Sequence, residues 1–140
     1  MTNQQKLLFL LQENSRCTVS ELAKQLSLSR ATVQQMMSRL EHQGIIQGYT
    51  IKINPHYEQN HISAYVMISI DAKKTSEIIR KLNKHPQLNM LCTISGQYDL
   101  IAKLTDETTE TLDRSIGFIE QIDGVIKTLS HIVLSTKVDR

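Results

Sequence analysis

The sequence predicts an α+β chain in two parts, a winged-type helix-turn-helix unit of three helices over residues 1–54 and a ferredoxin-like βαββαβ unit over residues 55–140. Three observations predict it. Apolar residues recur at helical spacing through the first 44 positions, and a short break separates two of the helical patterns there. From Ile62 the period changes to strict alternation. The remaining stretches then follow one another as strand, helix, strand, strand, helix, strand.

The elements of the first part are punctuated by their own end signals. Leu7, Leu8, Leu10 and Leu11 suit a first helix from Thr2 or Asn3 to about Gln12, packed beneath the other two. Thr18 and Glu21 have capping-box spacing, in which the hydroxyl accepts a backbone N–H and the carboxylate reaches back. A helix therefore starts at Val19, with Leu22, Ala23 and Leu26 as its apolar face. After Ser27 and Leu28, Ser29 can cap another helix that buries Val33, Met37 and Leu40 and stops at Gly44. The opposite face of that helix carries Arg30, Ala31, Gln34, Gln35 and Ser38. These side chains are short or polar, with positive charge at the N-terminal end, which suits a helix laid in the DNA major groove. An ordinary helical hairpin with a solvated face has the same spacing.

From Ile45 the pattern reads as an extended hinge strand, with Tyr49, Ile51 and Ile53 alternating with Thr50 and Lys52 as far as Asn54-Pro55. Pro55 to Asn60 reads as a surface loop, and the domain boundary is placed near residue 55. Beyond it, Ile62, Ala64, Val66, Ile68 and Ile70 form one face of a strand, and Ser63, Tyr65, Met67 and Ser69 the other. Thr75 or Ser76 can cap the next helix, Ile78, Ile79 and Leu82 form its buried stripe, and Pro86 lies past its end. Leu88 to Ser95 and Tyr98 to Leu104 read as a hairpin closed by a tight Gly96-Gln97 turn. Leu112, Ile116, Ile119 and Ile122 mark the last helix, Asp123-Gly124 ends it, and Val125 to about Lys137 is the final strand. Both faces of these strands carry apolar residues, which points to a sheet face buried in a homodimer.

Composition limits the function classes. With 40% apolar and 21% charged residues in 140, the chain can build globular cores. Residues 1–54 hold six basic against three acidic side chains, a net +3, whereas the remainder holds ten against eleven, a net −1. The positive field thus lies on the helix-turn-helix part, as expected where only that part meets phosphate. The five apolar residues from Leu7 to Leu11 are too few for a signal-peptide core, and nothing approaches a membrane span, so a cytoplasmic protein is expected. Cys17 and Cys92 are isolated, without metal-ligand spacing, and read as plain thiols; a disulfide between them is possible but unsupported. No metal and no cofactor is expected.

The run ELAKQLSLSRATVQQMMSRLEHQGIIQGY, from Glu21 to Tyr49, resembles the DNA-binding half of the leucine-responsive and asparagine-operon (Lrp/AsnC) regulator family, and SGQYDL at 95–100 and GVIKTLSHIVL at 124–134 resemble its effector-sensing domain. The chain departs from the family pattern at Met36 and at Gln4. The resemblance implies a sequence-specific transcriptional regulator whose DNA contacts are Ser29, Arg30, Ala31, Thr32, Gln34, Gln35, Ser38 and Arg39, on an imperfectly palindromic double-stranded site. It also implies a small amino acid effector bound at subunit interfaces near Gly96, Gln97, Tyr98 and Asp99, with Thr128 and Ser130 facing that region, and homodimers that assemble to octamers or similar rings.

The turn's chemistry agrees: Gly96 lets the backbone approach a ligand, free N–H groups suit a carboxylate, and Asp99 suits an ammonium. A Gly-x-x-Asp turn also serves simply to reverse a chain. Two other readings stand beside the regulator. Siroheme decarboxylases resemble the same two-part architecture, and His56, His61, His85 and His131 could serve such an enzyme, but they are scattered without a nucleophile or acid/base constellation. A metabolite sensor that does not bind DNA is the third.

Overall fold

The computed structural model describes residues 1–54, 57 and 61–140, which form two compact units, Met1–Lys52 and Ile53–Arg140. The first consists of α1 (Asn3–Glu13), α2 (Val19–Leu26) and α3 (Arg30–His42). Each start is fixed by a side chain. Thr2 with Gln5 and Thr18 with Glu21 close capping boxes, and the Ser29 hydroxyl accepts the Thr32 N–H at 3.1 Å. Leu7, Leu11, Leu22, Ala23, Val33 and Leu40 make the buried core of this unit.

Two left-handed residues turn the chain. Gly44, at φ +70°, ends α3 with paired bonds from its own N–H to the Glu41 carbonyl (3.0 Å) and from the Ile45 N–H to the Leu40 carbonyl (2.9 Å). Ser27 does the same after α2 at φ 54°, although a Cβ makes that conformation unfavourable by about 1–2 kcal/mol. The hinge strand expected over 45–54 is not formed: among the described residues no ladder includes residues 45–53. A strand needs a partner for its N–H and C=O groups, and the three-helix unit contains none. Ile45, Tyr49, Ile51 and Ile53 are exposed accordingly. The surface loop expected from Pro55 to Asn60, and His56 with it, lies outside the described residues apart from Tyr57.

The second unit is a four-stranded antiparallel sheet of β1 (Ile62–Ile70), β2 (Leu88–Thr93), β3 (Leu100–Asp106) and β4 (Val125–Ile132), in the order β2-β3-β1-β4, with α4 (Thr75–Asn83) and α5 (Thr109–Glu120) against it. This is the ferredoxin-like arrangement. Ala64, Val66 and Ile68 are fully buried against Ile78 and Leu82 of α4 and Leu112 and Ile119 of α5. The alternation seen in the sequence therefore separates a helix-covered face from an outer face of Tyr65, Met67, Ile101 and Leu129.

Three expectations are corrected. Neither Thr75 nor Ser76 caps α4; Asp71 opens a 3-10 turn, Ala72–Lys74, by accepting the Lys73 N–H, and this turn runs into the helix. The hairpin is wider than a two-residue turn. Its strands part after Thr93 and Leu100 and are closed by the Ile94 N–H on the Asp99 carbonyl at 2.9 Å. Finally, β4 stops at Ile132, because β1 begins at Ile62 and the Val133 N–H on the Ser63 carbonyl is the last rung.

Gly124, at φ +98°, makes the tightest backbone approach. A Cβ there would lie 2.9 Å from Lys74 Cβ and 3.0 Å from Ile78 Cδ1. Gly124→Ala is expected to destabilise the sheet unit by about 2–4 kcal/mol, from left-handed strain plus overpacking. Thermal unfolding checks it. An unchanged melting temperature would mean that the loop adapts freely.

Candidate DNA-reading helix and effector loop

All eight residues expected at the DNA, Ser29, Arg30, Ala31, Thr32, Gln34, Gln35, Ser38 and Arg39, are exposed, while Val33 and Leu40 are buried beneath them. The helical repeat explains this. Ala31, Gln35 and Ser38 recur at intervals of four and three along the outward stripe, Gln34 and Arg30 flank it on one side, and Arg39 on the other. His42 continues the same stripe at its C-terminal end and is exposed; sequence reasoning missed it, though the spacing from Ser38 would have found it. The Arg30 Nε donates to the Ser20 Oγ of α2 at 2.7 Å. Among the described residues neither Arg30 nor Arg39 makes an ion pair, so both charges face outward uncompensated.

Asp99 anchors the 96–99 loop. Its N–H donates to the Ile68 carbonyl at 2.9 Å, and its Oδ2 accepts the Ile70 N–H at 2.9 Å, so one carboxylate oxygen fastens the loop to β1. Gly96 sits at φ +121°, a conformation that L side chains rarely adopt. The N–H groups of residues 95–98 have no acceptor among the described residues. Lys127 of β4 holds its Nζ over the Tyr98 ring, 5.3 Å from the centroid, which adds a cation beside the loop that sequence reasoning did not single out.

Thr128 and Ser130 stand apart from this group. They pair with Ile68 and Val66 and so lie on the helix-covered face, one strand across from Asp99. The Thr128 hydroxyl donates to Glu120 of α5 at 3.1 Å. Among the described residues the histidines do not converge either: His85 packs on Phe118 of α5, and His131 lies opposite Tyr65. Among the described residues no group of three or more His, Cys, Asp or Glu side chains could hold a metal ion, and no helix is long and apolar enough to cross a membrane. Cys17 and Cys92 are free thiols.

A polar cluster also sits beside α5. The Ser115 hydroxyl and the Glu107 N–H donate to the Asp106 carboxylate at 3.2 and 2.9 Å. Hydrogen bonding, led by the Thr111 hydroxyl, holds this carboxyl below its ordinary range against the opposing effect of burial. Its position at the β3–α5 junction makes it a fold-fastening group.

A three-helix unit presenting an open polar stripe, joined in sequence to a ferredoxin-like sheet, has the architecture of a helix-turn-helix regulator. The family description winged helix-turn-helix DNA-binding matches residues 2–47, and Lrp/AsnC ligand binding domain matches residues 63–140. An HTH-type transcriptional regulator of Pyrococcus furiosus is 32% identical, over 92% of this chain and 87% of its own length. The HTH-type transcriptional regulator LysM of Saccharolobus solfataricus is 34% identical, over 94% and 91%. The solved structure of E. coli AsnC superposes with a TM-score of 0.86 at 25% identity, over 99% of this chain and 94% of that one. The chain belongs to the Lrp/AsnC family of transcriptional regulators. A Neisseria meningitidis regulator solved as a complex with L-Met shares the fold, with a TM-score of 0.87 at 21% identity, over 99% and 92%.

Proposed function

We propose that this regulator reads an imperfectly palindromic duplex with the outward stripe of α3 and responds to a small amino acid bound at the 96–99 loop. The observation that carries the DNA reading is that the whole stripe is exposed, polar and, among the described residues, free of ion pairs, with a cation at each end of the first ten residues of α3. Gln34 and Gln35 are the adenine readers, and Arg39 lies on phosphate. Ser29, Ala31, Thr32 and Ser38 complete the contact surface. The relatives reported above are named as transcriptional regulators, which favours this reading over an enzyme and over a sensor that does not bind DNA.

Selection of duplexes from a random pool, followed by affinity measurement, tests it. Gln35→Ala is expected to cost roughly 1–3 kcal/mol on the selected duplex and little on random DNA. Arg39→Ala should weaken both alike and lower the salt slope by about 1. Equal losses on both duplexes for Gln35→Ala would remove it from the base-reading set.

For the effector, the N–H groups of Gly96, Gln97 and Tyr98 receive the carboxylate and Asp99 Oδ1 the ammonium. The Neisseria relative's L-Met supports an amino acid as the ligand class. The Thr128 hydroxyl, which donates to Glu120, keeps its lone pairs for such a ligand, and Ser130 lies on the far side of β1. The outer sheet face of Tyr65, Met67, Ile101 and Leu129 is the homodimer surface, and dimers assemble further to octamers or similar rings. Light scattering is expected to find dimers or larger species at micromolar concentration; a monomer would sink this assembly.

A further inference from the structure

We infer that Ser20 is a positioning residue that commits Arg30 to reading guanine rather than gripping phosphate. The inference rests on the reading that α3 enters the major groove. An arginine at the first position of a helix has many rotamers, and ordering such a side chain costs up to about 2 kcal/mol of entropy. Here the Ser20 Oγ accepts from Nε at 2.7 Å and so removes part of that cost before DNA arrives. The geometry of the guanidinium decides what remains. With Nε occupied, the side-on edge made of Nε and one terminal nitrogen is no longer free, and the two terminal nitrogens present an end-on fork. That fork matches the O6 and N7 acceptors of guanine, the commonest specific contact in the major groove.

The choice of partner matters as well. Glu21, the neighbouring acid in the first turn of α2, is turned back to the Thr18 N–H by its capping box and leaves Arg30 alone. A carboxylate partner would fix the arginine but neutralise it. The neutral serine hydroxyl fixes it with its full charge intact. Ser20 is half-buried between Val19 and Glu21 on α2, so its own hydroxyl is held by the helix that Arg30 leans against.

The test uses the full chain and the duplex it selects from a random pool. Ser20→Ala is expected to lose about two- to tenfold affinity on that duplex, the worth of one exposed hydrogen bond, and nothing on a scrambled duplex, with the salt slope unchanged. Ser20→Thr, which keeps the hydroxyl, should restore the affinity. Arg30→Ala should lose roughly five- to a hundredfold on the selected duplex, and adding Ser20→Ala to it should cost nothing more. Replacing the contacted guanine by 7-deazaguanine, which lacks the N7 acceptor, should weaken the wild type but not Arg30→Ala. Equal losses for Ser20→Ala on both duplexes, with a shallower salt slope, would place Arg30 or Ser20 on phosphate and overturn the inference. No loss for Ser20→Ala would overturn it too, leaving the DNA reading intact. Failure of the wild type to enrich any duplex would overturn the DNA reading, and this inference with it.

Discussion

Leu22→Ala is expected to unfold the helical unit while the sheet unit stays folded. Leu22 is fully buried among Leu7, Leu11, Val33 and Leu40, and that core shares no residue with the core under the sheet. Truncating a buried leucine costs about 2–5 kcal/mol through lost transfer energy and the cavity left behind. A unit of 52 residues has a total stability on the order of 3–8 kcal/mol, so the loss takes most of it. Small units have little reserve because they bury a smaller share of their surface. Hydrogen exchange read by mass spectrometry should show protection collapsing over α1–α3 and persisting over β1–β4, with DNA binding abolished and effector binding retained. Simultaneous loss of protection in both units would mean that the chain unfolds as one cooperative body.

The elements that could be read in advance are those whose signals lie within a few residues of one another. Thr18 with Glu21, Ser29 with Thr32 and Gly44 all act over three or four positions, so the helical unit was legible almost to the residue. The alternation of β1 is equally local and placed the core face correctly. What escaped depends on partners distant in sequence. Asp71 took the capping role because the chain leaving β1 bends to let its N–H reach the Gly124 carbonyl at 2.8 Å, which no local pattern announces. The end of β4 is set by where β1 begins. The hinge segment has strand-like alternation but no strand beside it in its own unit, and alternation alone cannot supply hydrogen-bond partners. For the outward stripe of α3, helical periodicity was enough to separate exposed from buried positions, yet the Ser20 contact to Arg30 links two helices and had no signature in spacing. For the loop between β2 and β3, the Gly-x-x-Asp pattern located the turn without revealing that one oxygen of Asp99 already has a backbone partner.

That partner changes how Asp99 must be tested. Asp99→Ala removes the charge and also strips the Ile70 N–H of its acceptor, and Ile70 is nearly buried. Leaving such a donor unsatisfied costs about 1–3 kcal/mol of stability, so lost binding in the alanine variant would mix two causes. Asp99→Asn separates them, because the amide oxygen can still accept from Ile70 while the negative charge is gone. The asparagine variant is expected to melt close to the wild type. It should still bind the effector about 1.5–3 kcal/mol more weakly, on the order of ten- to a hundredfold, because the ligand's ammonium loses a charged hydrogen-bond partner. Its DNA binding without effector should be unchanged. Effector control of DNA affinity should vanish in it, since coupling of roughly 1–3 kcal/mol requires the ligand to distinguish two states. Calorimetry decides the matter, using whichever of the twenty amino acids raises the wild-type melting temperature most. If Asp99→Asn binds as the wild type does while Asp99→Ala does not, the carboxylate only fastens the loop to β1, and the ammonium is bound by another group.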